Sequence, residues 1–326
     1  MSPFSLIDAS NAAEAVALLQ AHGSHAKVIA AGGDLLGLLK DGVQCATLAR
    51  PHVLVNLATA QELHRIERCN DGWSLGAMVT LATIARTPGL PPILTEAISH
   101  IASPQLRTRT TLGGNLLQRP RCLYFRHPDE ACFKKGGNGC PAIGGPMQAY
   151  PGALMHGDCH AGHPSDLAPL LIALQATVEL CGPSGVSHLR LLDLYSDAAT
   201  CAEAEASVGI DEVLVRLYVA DTSLAQAFAK VAPRDANEFA TASAAAVGRV
   251  KNGRWHALHI ALAGVAPGPL QILTDAVIGQ PSNAFSDEAL AATLLPAPAS
   301  APLNTRLSAA RLAVERVLQR VRTAST

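Results

Sequence analysis

The chain has 326 residues, of which 49% are hydrophobic and 16% charged, and its formal net charge is −1. This length and composition predict two or three domains with a sizeable core. The balanced charge, without a basic stripe, argues against a nucleic-acid partner, and the absence of an 18-residue apolar run argues against a membrane span. The N-terminus MSPFSLIDASNAAEA lacks the basic and apolar regions of a secretory signal, so the cytoplasm is the default location.

The first candidate binding element is a strand followed by a double-glycine turn. A capping box at Asn11 and Glu14 predicts a short helix ending at Gly23. Residues 27–31 then predict a buried strand, broken by two glycines, and a short helix begins near Asp34. A strand, a glycine turn and a helix N-terminus together form a geometry that binds phosphate. A plain tight turn is the alternative, because many strand–helix connections carry two glycines.

The middle of the chain alternates short strands with helices. A second double-glycine turn, Thr111-Leu112-Gly113-Gly114-Asn115, precedes a loop rich in cysteine. The hydrophobic pattern predicts strands over 52–57, 64–68, 73–77, 176–182 and 211–220, and helices over 93–103 and 165–176. The turn Asn70-Asp71-Gly72 favours a hairpin between the second and third of these strands, and Ser165 is the expected N-cap of the last helix.

The composition changes after about residue 222. Residues 223–232 are rich in alanine and predict a helix. Two long apolar segments, 239–250 and 255–266, flank Asn252-Gly253 and predict a hairpin. A Pro-rich connection (295–302) leads to a last amphipathic helix over 304–322. Residues 222–326 are therefore predicted to form a separate α+β domain.

Half of the eight cysteines lie in one loop broken by Gly and Pro. They are Cys122, Cys132, Cys140 and Cys159. Four thiolates can surround one metal centre, and a loop without its own core needs such a centre to become ordered. A [4Fe–4S] cluster is the first expectation, zinc the second and two disulfides the third. Nearby histidines (His156, His160, His163) are expected to support the site or lie on the surface, and the scattered cysteines (Cys45, Cys69, Cys181, Cys201) to be free thiols.

The two glycine turns, the helix that begins at Asp166 and the order of elements resemble the FAD subunit of molybdenum hydroxylases, the family of xanthine dehydrogenase and carbon monoxide dehydrogenase. The cysteine loop, with RCLYFR, ACFKKGGNGCPAIGG and CHAGHPSDLAPLLIALQA, is similar to that of periplasmic-type aldehyde oxidoreductases, whose FAD subunit carries an inserted [4Fe–4S] cluster. The resemblance implies an α+β fold. Residues 1–221 would form a vanillyl-alcohol-oxidase (PCMH) type FAD-binding domain of two subdomains, with an iron–sulfur insertion at about 119–163. Residues 222–326 would form a C-terminal domain of the CO dehydrogenase flavoprotein type.

The resemblance also implies a set of FAD contacts. The first pyrophosphate loop would consist of Ile29, Ala30, Ala31, Gly32, Gly33, Asp34 and Leu35. This loop departs from the family pattern AGG[ST]DLL, because Ala31 replaces the first glycine and Gly33 replaces the hydroxyl residue. A side-chain hydrogen bond to phosphate is thereby lost, while backbone donors are retained. A register in which Gly32 and Gly33 are the family glycine pair is the alternative.

The other implied contacts come from later in the chain. The second pyrophosphate loop would be Thr111, Leu112, Gly113, Gly114 and Asn115, beside a family turn at Gly76 and Thr80. Ile101 would pack against the flavin, Asp166 would bind the adenosine part, and Leu214 and Lys230 would contact the flavin. The positive charge of Lys230 would stabilise a reduced anionic flavin. For Asp166 the alternative is simple complementation of the helix dipole. The four loop cysteines would be the cluster ligands.

The implied function is that of an electron-transfer subunit with FAD and [4Fe–4S] in a heterotrimeric molybdenum-dependent aldehyde oxidoreductase. A large partner would hold molybdopterin and a small partner two [2Fe–2S] clusters, and FAD would pass electrons to oxygen, ferredoxin or a nicotinamide. No catalytic residue is expected on this chain. Two alternatives are the FAD subunit of a 4-hydroxybenzoyl-CoA reductase-like enzyme and a zinc-binding assembly scaffold without flavin. Co-export with a partner that bears a twin-arginine signal would instead place the chain in the periplasm.

Overall fold

A computed structural model of the chain describes residues 3–45, 48, 50–143, 158–198, 200, 205–235, 237–296 and 305–325. His156, Cys201 and part of the predicted insertion (144–157) lie outside these ranges. The described helices are α1 (Ala12–His22), α2 (Leu35–Lys40), α3 (Leu81–Arg86), α4 (Pro92–Ser99), α5 (Pro104–Arg107), α6 (Leu112–Leu116), α7 (Leu123–Arg126), α8 (Leu167–Ala173), α9 (Asp287–Leu294) and α10 (Thr305–Ser325). The described strands are β1 (Ser5–Asp8), β2 (Ala26–Ile29), β3 (Val53–Asn56), β4 (Ile66–Arg68), β5 (Gly72–Gly76), β6 (Thr177–Gly182), β7 (Gly185–Arg190), β8 (Val213–Ala220), β9 (Ala225–Val231), β10 (Ala242–Lys251), β11 (Arg254–Ala263) and β12 (Leu270–Ile272).

The N-terminal segment forms a small parallel sheet. Strand β3 lies between β1 and β2, with both pairs parallel. Helix α2 lies in the crossover from β2 to β3 that such a parallel pair requires. Asn11 accepts a hydrogen bond from the backbone N–H of Glu14 (2.8 Å), which confirms the predicted N-cap. The Glu14 carboxylate accepts from the backbone of Ser10 and not from that of Asn11, so the reciprocal half of the capping box is displaced by one residue.

A five-stranded antiparallel sheet follows, in the order β4-β5-β8-β6-β7. The predicted hairpin pairs β4 with β5 across residues 69–71. Helix α8 is buried along its whole length, which explains its continuous apolar sequence, and it packs against strands β10 and β11. Ser165 Oγ accepts the backbone N–H of Ala168 (3.1 Å), so the predicted cap of this helix is confirmed.

The C-terminal part is a four-stranded antiparallel sheet, β12-β11-β10-β9, covered by α9 and α10. The predicted hairpin of β10 and β11 and the last amphipathic helix are both confirmed. The helix predicted over residues 223–232 is wrong, because this segment is strand β9 and pairs with β10. Alanine favours a helix in isolation, but sheet pairing and burial against α10 override that preference here.

The largest apolar cluster extends across the predicted domain boundary. It combines α8 and the five-stranded sheet with Phe228, Ala245, Val247 and Ala261 of the C-terminal sheet. The last part of the chain therefore packs directly on the segment that carries the predicted flavin loops. The division at residues 221 and 222 stays a prediction.

Among the described residues, no helix combines the length and the apolar character needed to cross a membrane. The choice between cytoplasm and periplasm stays a prediction.

Candidate flavin and metal site

The first predicted pyrophosphate loop lies between β2, which ends at Ile29, and α2, which begins after Asp34. Gly32 has φ +72°, a left-handed conformation that glycine adopts without strain, and its carbonyl accepts the N–H of Leu36 at 3.1 Å. A Cβ added at Gly33 would meet no heavy atom within 4 Å, so this position faces open space. The strand, turn and helix expected from the sequence are all present, and no side chain blocks access of a ligand to the backbone at Gly33.

The second predicted loop is the first turn of α6. Thr111 Oγ1 accepts the N–H of Gly114 (3.2 Å) and thereby caps this turn. A Cβ built at Gly114 would lie 2.8 Å from that hydroxyl oxygen, so any larger residue would displace the cap. Thr111 also forms a β-bridge with Thr80, which places the predicted family turn beside this loop.

Strand β8 contacts the same loop from the other side. The N–H of Gly113 donates to the carbonyl of Ala77 at 2.8 Å, and a Cβ at Gly113 would lie 3.5 Å from the Leu214 side chain. Leu214, predicted from a distant part of the sequence, is thus adjacent to the second loop.

Two predicted cofactor residues form an ion pair with each other. Lys230 Nζ donates to Asp166 Oδ2 at 2.7 Å and to the carbonyl of His100, next to Ile101, at 2.9 Å. Their side chains are 10% and 5% exposed. The structure therefore brings Ile101, Asp166 and Lys230 to one place, although the family resemblance implies separate roles for the two charged residues. Asp166 makes no side-chain capping bond to α8, so dipole complementation alone does not describe its contacts.

A direct hydrogen bond links the Asp166 region to the second loop. Ser165 Oγ donates to Asn115 Oδ1 at 2.7 Å, and both residues are buried. The sequence predicts Ser165 only as a helix cap. The sequence around Ser165 does not predict the hydrogen bond to Asn115, because the two residues are 50 positions apart.

All four predicted cluster cysteines line one cavity. Its walls are Pro120, Cys122, Tyr124, Phe125, Cys132, Lys134, Cys140, Ala142, Cys159, His160 and Ala161. The four thiols come from separate positions between residues 122 and 159, so their convergence is a property of the fold. His160, expected from the sequence either to support the site or to lie on the surface, is also in the wall.

Burial and backbone amides determine the acidity of these thiols. Burial raises the pKa of Cys122 and of Cys132, and raises that of Cys159 to about 12. Backbone N–H groups two positions further along the chain, at Tyr124, Lys134 and Ala161, oppose the effect because they stabilise the thiolate. Amides directed at sulfur are the environment in which iron–sulfur ligands are held.

A buried charged network adjoins the cavity. The Lys134 side chain is only 1% exposed, and its ammonium donates to the carbonyl of Ala198 at 2.8 Å. It lies 3.7 Å from Glu205, which also pairs with Arg119 at 2.5 Å. The basic residues are visible in the sequence of the loop, but Glu205 is not predicted, because nothing in its local sequence marks its distant partners.

One polar group in the cavity wall lacks a partner among the described residues. The hydroxyl of Tyr124 is buried in the wall and, within the described ranges, has no hydrogen-bond partner. Such a donor is costly to bury unless an acceptor is supplied. Within the same ranges no disulfide joins the cysteines, and no three His, Cys, Asp or Glu side chains are grouped tightly enough to hold a single metal ion.

Comparison with known proteins identifies the family of the part of the chain that carries the two glycine loops. The family described as the FAD binding domain in molybdopterin dehydrogenase matches residues 2–219. The chain belongs to this family and is an oxidoreductase subunit.

Individual relatives extend the similarity beyond the family domain. The chain is 33% identical to the aldehyde oxidoreductase FAD-binding subunit PaoB of Escherichia coli (strain K12), over 80% of this chain and 82% of that protein. It is 27% identical to the carbon monoxide dehydrogenase medium chain of Afipia carboxidovorans, over 95% and 93% of the two chains. Among solved structures, quinoline 2-oxidoreductase from Pseudomonas putida 86 superimposes with a TM-score of 0.72 at 25% identity, covering 100% of this chain and 99% of that one. These similarities confirm the α+β fold predicted for this chain.

Proposed function

We propose that this chain is the electron-transfer subunit of a heterotrimeric molybdenum-dependent aldehyde oxidoreductase and that it carries both FAD and a [4Fe–4S] cluster. The observation that carries the proposal is the single cavity lined by the four loop cysteines. The cavity lies in a chain whose family is described as an FAD binding domain. This chain is also similar to an aldehyde oxidoreductase FAD-binding subunit over 80% of its own length.

In this proposal the protein binds and orients its cofactors and performs no acid–base chemistry. The loops at 29–35 and 111–115 would hold the FAD pyrophosphate with backbone donors, and Asp166 would bind the adenosine part. Leu214 and Ile101 would form apolar contacts, and Lys230 would supply positive charge near the flavin ring. FAD suits a junction between one-electron and two-electron carriers, because it exchanges electrons singly or in pairs.

The four cysteines would each bind one iron of the cluster. Lys134 supports this assignment, because a buried ammonium beside the cavity offsets the negative charge that thiolate ligands introduce. The unpartnered hydroxyl of Tyr124 is a donor available to the cluster or its sulfur ligands.

Molybdopterin would belong to a large partner subunit and two [2Fe–2S] clusters to a small one. The large partner would remove two electrons from the aldehyde, and water would supply the oxygen of the carboxylic acid. FAD on this chain would collect the electrons and release them to oxygen, ferredoxin or a nicotinamide. The proposed division of the chain places the flavin domain at 1–221 and the C-terminal domain at 222–326.

Cofactor analysis of the anaerobically purified complex tests this proposal. We expect about four iron atoms and four labile sulfides assigned to this chain, in addition to those of the small subunit, together with one non-covalent FAD. Stoichiometric zinc without this iron would reject the cluster and favour the scaffold. Bleaching of the flavin absorption by an aldehyde is expected from the intact complex. Failure with aldehydes, combined with reduction of an aromatic thioester by a low-potential donor, would instead favour the 4-hydroxybenzoyl-CoA reductase-like alternative.

A further inference from the structure

The Asp34 carboxylate connects the first flavin loop to the cysteine loop. Asp34 occupies the N-cap position of α2 but makes no side-chain capping bond to that helix. Its Oδ2 accepts the backbone N–H of Arg119 at 2.8 Å, and its Oδ1 lies 2.6 Å from Arg126 Nη2 and 3.1 Å from Arg121 Nη1. Both carboxylate oxygens are therefore directed away from α2 and towards one segment.

That segment, 119–126, contains the first cluster cysteine. Arg126 also donates to the backbone carbonyls of Pro120 (2.8 Å) and Arg119 (3.2 Å). Its guanidinium thereby closes the chain into a tight turn around Cys122. Asp34 and Arg126 are 17% and 14% exposed, so solvent screens their charge pair only partly.

Apolar packing joins the same two elements. Leu38 of α2 lies in one small cluster with Phe125 and Cys132, and Leu35 packs against it. A displacement of α2 would therefore disturb two turns of the cysteine loop as well as the carboxylate contacts.

Two further covalent connections are short. Seven positions separate Asn115 of the second flavin loop from Cys122, and seven separate Cys159 from Asp166. Seven residues span at most about 25 Å even when fully extended. The hydrogen bond between Ser165 and Asn115 fastens these two connections to each other at the flavin end.

We propose that Asp34 is a positioning residue that couples the two cofactor sites, so that filling the cysteine cavity strengthens FAD binding and bound FAD strengthens cluster retention. This inference rests on the proposed function. The physical reason is that the turn around Cys122 and the start of α2 are ordered together, and whichever cofactor binds first reduces the ordering that the second requires. Thermodynamic linkage makes the effect equal in both directions.

The test compares FAD affinity of the full chain in its complex before and after removal of the cluster with an iron chelator. In the wild type we expect FAD to bind roughly tenfold more weakly once this chain's iron is lost, within the usual range of coupling between sites. In Asp34→Asn, which keeps the shape but removes the charge, the ratio of the two affinities should fall below about threefold. Asp41→Asn is the matched control, because Asp41 is an exposed residue at the other end of the same helix, and it should retain the wild-type ratio.

The outcomes separate the coupling from the proposed function. A wild-type complex without FAD or without iron on this chain contradicts the proposed function itself. A wild type with both cofactors but the same FAD affinity with and without the cluster overturns the coupling and leaves the function intact. Full coupling in Asp34→Asn overturns the role of Asp34. If that variant does not fold, Arg126→Gln gives the same comparison from the other side of the pair, and undiminished coupling there also overturns the proposal.

Discussion

Breaking the buried pair of Asp166 and Lys230 should reveal how much of the flavin site is assembled before FAD binds. At a separation of 2.7 Å, two unit charges attract by about 6 kcal/mol at an effective dielectric constant of about 20. The desolvation of both groups offsets much of this attraction. Removing only one partner leaves the other charge buried and unpaired, and this typically costs about 3–5 kcal/mol. Simple complementation of the helix dipole would instead be worth about 0.3–1 kcal/mol.

Urea denaturation of FAD-free protein distinguishes these magnitudes. Asp166→Ala and Lys230→Met should each lower the free energy of unfolding by about 3 kcal/mol or more. The double variant should be more stable than the sum of the single losses by about 1–3 kcal/mol, because both charges leave together. The exposed pair of Arg190 and Asp193 is the matched control, and Asp193→Ala should produce no resolvable change. Additive single losses of less than 1 kcal/mol would refute the account of Asp166 as a structural ion pair.

FAD binding supplies the second readout on the same variants. If the Asp166 carboxylate also binds the adenosine part, Asp166→Ala should weaken FAD binding by a factor of roughly ten to a hundred, or about 1.5–3 kcal/mol. The milder Asp166→Asn keeps the shape of the side chain and can be measured if the alanine variant unfolds. Lower stability with unchanged FAD affinity would show that the pair supports the fold and that Asp166 does not bind the cofactor.

Three further results are expected. Gly114→Val should abolish FAD retention, measured by flavin release after gel filtration, because the added Cβ would lie 2.8 Å from the capping hydroxyl of Thr111. Normal retention would exclude this loop from the FAD site. Cys132→Ser should lower both iron content and the thermal midpoint, since metal binding and local folding are linked, and an unchanged iron content would remove Cys132 from the ligand set. Burial lowers the pKa of His163 to about 3, so between pH 3 and 6.5 the folded state binds fewer protons than the unfolded state. The contribution of the neutral His163 to the free energy of unfolding should therefore be fully present above about pH 6.5 and be lost as the pH falls towards 3. This contribution, up to about 4–5 kcal/mol, should disappear from the pH dependence of unfolding in His163→Gln but persist in the exposed-site control His256→Gln.

Much of the site was predictable from residue type and spacing. Two glycine turns and four cysteines in a loop without regular structure are local patterns, and local geometry follows from them directly. Leu214 and Lys230 are assigned to the site only through resemblance to a family. Leu214 lies beside Gly113 and Lys230 beside Asp166, and residues more than 50 positions apart carry no local record of such contacts. Glu205 shows the limit most clearly, since its buried partners, Arg119 and Lys134, lie within the predicted insertion, far earlier in the sequence.

The wrong helix at 223–232 shows what a secondary-structure prediction from local sequence leaves out. Alanine, leucine and lysine favour a helix when only neighbours in sequence are considered. Strand β9 forms because β10 offers a continuous antiparallel partner and α10 covers one face of both strands. Both β10 and α10 begin more than ten residues after Lys230, so a short sequence window around Lys230 does not contain the segments that make this region a strand. The position of Lys230 within the family pattern is independent of that local conformation, and the strand places its ammonium against Asp166 and the carbonyl of His100. Similarity to a family thus carries information about long-range contacts that periodicity lacks, whereas the three contacts of Asp34 to the cysteine loop required the folded chain.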